Sequence, residues 1–124
     1  MRIEVPIGDV ADRITILEIK SRLLTAPVVQ AHVRAELDSL TSAWASQCET
    51  AMDQLPGIDR LRQVNRELWE VEDRLRLLER ARHFNKDFVD TARRVYVLND
   101  ERAELKRQIS VATGSRLVEQ KSYA

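Results

Sequence analysis

The side chains of Asn65, Glu72 and Arg76, and of Asn99, Arg102 and Lys106, bring amides and charges onto helix faces that are otherwise apolar. With a turn of about 100° per residue, Asn99, Arg102 and Lys106 fall inside an apolar arc centred near Phe88 and Val95. By the same construction Asn65, Glu72 and Glu79 lie beside Leu61, Leu68 and Leu75, with Trp69 and Arg76 slightly further round. Polar groups on such a seam must either satisfy one another or hold a ligand, because a buried unpaired charge is costly. If the chain reverses at Phe84 and Asn85, antiparallel pairing sets Asn65 opposite Lys106, and Glu72 opposite Asn99 and Arg102. Two chemistries follow. One is a ladder of acid, base and amide that fixes the register of two helices, as single polar core residues do in coiled coils. The other is a pocket between the third and fourth helices. There Arg102, Lys106 and the amides of Asn65 and Asn99 hold an anionic small molecule while Glu72 orients it or exchanges a proton.

Other candidate chemistry is sparse. His32 and His83 stand far apart, and neither joins a cluster with metal-ligand spacing, so no metal is expected. Glu67 with Glu70, and Glu101 with Glu104, have the spacing of the magnesium motifs of all-α nucleotide pyrophosphohydrolases. They point away from the apolar arcs and are expected in solvent, apart from one another. Gly8 and Gly114 are isolated, so no phosphate-cradling loop and no cofactor are expected. Cys48 sits on an apolar helix face and reads as a structural thiol, and Trp69 and Tyr96 read as core-edge aromatics.

The elements that carry these residues are punctuated by Pro6, Gly8, Pro27, Pro56, Gly57 and Gly114. Periodicity predicts helices over about 9–24, 28–52, 58–82 and 86–112. The first has two apolar stripes, Val10, Ile14, Leu17 and Leu24 on one side and Ile16, Ile19 and Leu23 on another, which requires packing on two sides. The second repeats Val33, Leu37, Leu40, Trp44, Cys48 and Ala51. The third carries Leu61, Val64, Leu68, Val71, Leu75 and Leu78 in unbroken three-four alternation, and the fourth, capped by Asn85, carries Phe88, Val95, Leu98, Leu105 and Ile109. The fold class is all-α: an antiparallel bundle of about four helices with a long coiled-coil-like hairpin of helices three and four. Ile3, Val5 and Ile7 alternate as an extended arm would, and residues 115–124 form a tail without a clear period.

The 124 residues suit a single domain spanning 1–124. Twenty basic residues, 16 of them Arg, cancel twenty acidic ones, which disfavours nucleic acid and anionic membranes as partners. One cysteine rules out an internal disulfide, and no long apolar run marks a signal peptide or a membrane span. A cytoplasmic setting is expected.

The segments GDVADRITILEIK (8–20), LWEVEDRLRLLE (68–79), FVDTARRVYVLNDERAELKRQI (88–109) and LVEQKSYA (117–124) resemble a family of small bacterial proteins of unknown function. The resemblance covers nearly the whole chain. It is carried above all by Leu68-Trp69, Glu72-Asp73, Tyr96, Asn99-Asp100-Glu101-Arg102-Ala103 and the ending Glu119 to Tyr123. It transfers no activity, but implies that the ordered domain extends into the tail. Ser110 stands where an asparagine is expected in such proteins, and Arg13 where a lysine is expected. The leading expectation is a protein that acts through self-association, most simply as a homodimer, because hairpin helices about 37 Å long expose more apolar surface than they bury in each other. The alternative is a small helical enzyme or binding domain that holds an anionic small molecule, with a chorismate-mutase-like constellation by analogy alone.

Overall fold

The computed structural model describes residues 1–118. It contains four α-helices, α1 (Ile7–Leu23), α2 (Pro27–Gln47), α3 (Ile58–Arg80) and α4 (Lys86–Ala112), with one 3-10 turn at Met52–Gln54. Among the described residues there are no strands. The implied extension of the ordered domain into residues 119–124 lies outside the described residues.

The helix ends follow local chemistry. Pro27 opens α2, where its missing N–H costs nothing. Gly57 precedes α3 with φ +78°, a left-handed turn that suits glycine, and Leu105 packs close against its α-carbon. Asn85 caps α4, its side-chain oxygen accepting from Phe88 N–H at 3.3 Å. The second helix ends at Gln47, earlier than its apolar periodicity predicts. There the chain turns extended at Cys48, and the indole N–H of Trp44 donates to the carbonyl of Thr50 at 3.0 Å, holding the following loop against the helix end.

Helix α1 packs against α2, α3 and α4, which accounts for its two apolar stripes, while α3 and α4 form an antiparallel hairpin. Ala11 and Ile14 of α1, Trp44 of α2, Leu55, Ile58, Leu61, Val64 and Leu68 around α3, and Leu98, Leu105 and Ile109 of α4 make one core. This core occupies only one end of the hairpin. Beyond Leu68 the apolar residues of α3 are at best half-buried, and Leu77 is 61% exposed. The C-terminal end of α1, at Leu23 and Leu24, lies level with Trp69, Asp73 and Arg76. Past that level α3 and α4 continue as a two-helix arm.

Candidate functional site

The seam between α1 and the hairpin holds a polar node around Asp12, which is 4% exposed. Arg102 of α4 grips it bidentately, Nε to Oδ1 at 2.8 Å and Nη2 to Oδ2 at 2.6 Å, a geometry that planar guanidinium and carboxylate groups favour. Asn65 of α3, also 4% exposed, donates from Nδ2 to Asp12 Oδ1 at 2.9 Å and to Thr15 Oγ1 at 2.8 Å. The Thr15 hydroxyl in turn donates to the backbone carbonyl of Asp12 at 2.7 Å. Arg102 Nη1 also donates to the Asn99 side-chain oxygen at 3.3 Å. Three helices thus meet at one carboxylate.

One turn further toward the start of α1, Lys106 Nζ lies 3.1 Å from Asp9 Oδ1. The first turn of α1 has no side-chain cap of its own, because Pro6 precedes it. Its N–H groups are satisfied from the far end of α4: Gly8 N–H donates to Ser110 Oγ at 2.8 Å, and Ile7 N–H to Ser115 Oγ at 3.1 Å. The approach is close enough that a Cβ on Gly8 would sit 2.1 Å from the Lys106 carbonyl oxygen. Ser110, in the place of an expected asparagine, therefore supplies an acceptor that a side-chain amide oxygen also offers. A cleft of about 300 Å³ opens beside the node, lined by Asp9, Asp12, Arg13, Lys20, Arg102 and Lys106 together with Ile16 and Leu17.

Of the residues singled out in the sequence, Asn65, Asn99 and Arg102 converge on the node, and Lys106 lies next to it. Glu72 and Arg76 do not join them. Both are exposed, because they share a flank of α3 with Asn65 but lie at and beyond the level where α1 stops. The pairing of Glu72 with Arg102 is corrected for the same reason and by register. Ion pairs across the hairpin set Arg60 against Glu101, Glu67 against Arg94, and Arg74 against Asp87. The same step places Glu72 opposite Val89, more than two turns from Arg102. Lys106 likewise faces Asp9 of α1 and not Asn65.

Glu67 and Glu101 are also corrected. They do not point apart into solvent but bracket Arg60, whose Nη2 donates to Glu101 Oε1 at 2.7 Å and whose Nη1 lies 3.6 Å from Glu67. The Arg60 hydrogen bond holds the Glu101 carboxyl below its ordinary pKa of 4.5. A guanidinium thus fills the space a cation would need. Among the described residues, no group of three His, Cys, Asp or Glu side chains could hold a metal ion. Cys48 is half-buried against the core, and burial pushes its thiol pKa up.

Asp12 is not among the residues singled out in the sequence, although a signal for it exists. It lies four residues before Ile16 and seven before Ile19, in the second apolar stripe of α1, where a carboxylate is as anomalous as Arg102 is on α4. No curated protein and no solved structure matches the chain. The model of a family of unknown function (DUF6165) does match it, over residues 1–124, and the chain belongs to that family.

Proposed function

We propose that this protein acts by associating with a second copy of itself through the α3–α4 arm, as a bacterial, cytoplasmic homodimer whose arms pair in coiled-coil fashion. The observation that carries this reading is the uncovered arm: past the end of α1, Leu77, Phe84 and Val89 are 61%, 56% and 50% exposed. Contiguous large apolar residues on a solvated surface mark interaction sites. The absence, among the described residues, of any helix long and apolar enough to cross a membrane is compatible with this setting. The polar node is, on this reading, a device that locks α1 to the hairpin and leaves the arm rigid. A dimer unfolds to two chains, so its thermal midpoint rises with protein concentration. Melting the protein over a hundredfold concentration range is expected to show that rise. A midpoint independent of concentration would remove self-association.

One observation favours a second reading. The cleft between α1 and α4 is lined by Arg102 and Lys106, paired with Asp12 and Asp9, and by Arg13, paired with Glu36, and Lys20 adds a positive charge suited to a small anion. It lies between α1 and α4, not between α3 and α4. Saturating phosphate, sulfate or a dicarboxylate should raise the melting temperature if an anion binds the folded state there. Equal shifts in Lys20→Ala and the wild type would assign the effect to salt alone.

A further inference from the structure

We propose that the two copies pair through the outer face of α3, antiparallel about a two-fold axis beside Leu77, and that Phe84 of each copy seats in a groove at the end of α1 of the other. This rests on the self-association proposed above and specifies its surface and register.

The outer face of α3 carries Arg66, Trp69, Asp73, Leu77 and Arg80 at helical three- and four-residue steps, and Phe84 follows at the tip of the hairpin. In an antiparallel pair of identical helices, the register that puts Leu77 next to its own copy also sets Asp73 opposite Arg80 and brings Trp69 toward the hairpin tip that carries Phe84. Acid meets base and aromatic meets aromatic, twice each, from a single choice of register. A two-fold interface requires such self-complementarity, in which one residue contacts a second and the second contacts the first.

Three features fit this pairing. Glu72, Asp73, Arg76, Glu79, Arg80 and Arg82 are exposed and, among the described residues, form no ion pair, whereas Arg60, Glu67, Arg94 and Glu101 lower in the hairpin are all paired. On the outer face Asp73 precedes Arg80, so reversing one helix on the other brings these two opposite charges together. A groove of about 660 Å³ lies where the tip of the second arm arrives, walled by Leu23, Leu24 and Trp69 with Asp73 and Arg76 at its rim. Phe84 offers it a ring that is already oriented, since it packs edge-on against Phe88 with centroids 5.2 Å apart.

Charge exchange tests the register. Asp73→Arg sets like charges together at two symmetry-related places, and Arg80→Asp does the same, so each is expected to weaken dimerisation by roughly tenfold or more. The double variant restores opposite charges across the axis and should return to within about threefold of the wild type. Among the described residues neither side chain has an ion-pair partner, so circular dichroism should show an unchanged fold. Leu77→Cys supplies a second readout, because a cysteine beside the axis meets its own copy and closes a disulfide under mild oxidation. Asp38→Cys on α2 should not. A wild-type chain that is monomeric at all concentrations overturns the self-association reading and this register together. A wild-type dimer that ignores Asp73→Arg, is not restored in the double variant, or fails to crosslink through Leu77→Cys overturns the register alone.

Discussion

Asp12 shows how a single buried carboxylate can decide where three helices meet. Its charge is tolerable because Arg102 and Asn65 together supply three donated hydrogen bonds. Removing one partner should therefore cost far more than the pair itself is worth. Arg102→Leu leaves Asp12 buried without its counter-charge and is expected to destabilise by about 3–5 kcal/mol in denaturant unfolding, with partial recovery in Asp12→Leu/Arg102→Leu. Glu72→Leu, on an exposed turn, should stay within about 0.5 kcal/mol of the wild type. Strong coupling between Glu72 and Arg102 would contradict the register described above. Glu101 gives a milder, pH-dependent contribution. Its pKa is lowered in the folded state, so its stabilisation is present above the ordinary value of 4.5 and is lost as pH falls through the lowered one. Glu101→Gln should accordingly lose less stability on acidification below that value than the wild type loses.

At the scale of the element, two joints are informative. The start of α1 is capped by the end of α4, so Ser110→Ala leaves the buried Gly8 N–H without an acceptor and should cost about 1–3 kcal/mol. Gly8→Ala should cost at least as much, since its Cβ meets backbone that cannot swing aside. At the other end, α3 closes with Arg82 at φ +55° and with His83 N–H bonded to the Leu78 carbonyl at 2.9 Å, a turn that usually employs glycine. Arg82→Gly relieves the left-handed strain and should raise stability by up to about 1 kcal/mol, read as a higher denaturant midpoint. The positions of the four helices were legible because Pro27, Pro56 and Gly57 punctuate strong three-four periodicity, and because Asn85 is a good cap. Asn65, Asn99 and Arg102 were legible as polar residues on apolar arcs. Their partner was not, because Asp12 and Arg102 are ninety positions apart and periodicity within one helix does not say which helix will cover it. The error over Glu72 has the same origin: helical phase identified its flank correctly, but where α1 ends along that flank is a tertiary fact.

The whole molecule is asymmetric in what it buries. One end of the α3–α4 hairpin is wrapped by α1 and steadied by the Asp12 node, while the other carries Leu77, Phe84 and Val89 into solvent. A second copy offers a self-consistent cover for the outer face of α3, since its charges and aromatics match themselves when the helix is reversed. Self-association is therefore decided by the solution mass. Multi-angle light scattering over a series from low to high micromolar concentration measures it without a reference shape. The expected result is twice the 14.3 kDa chain mass at the upper end, shifting toward the chain mass on dilution and in Asp73→Arg at equal concentration. A mass of 14.3 kDa across the whole series would contradict it.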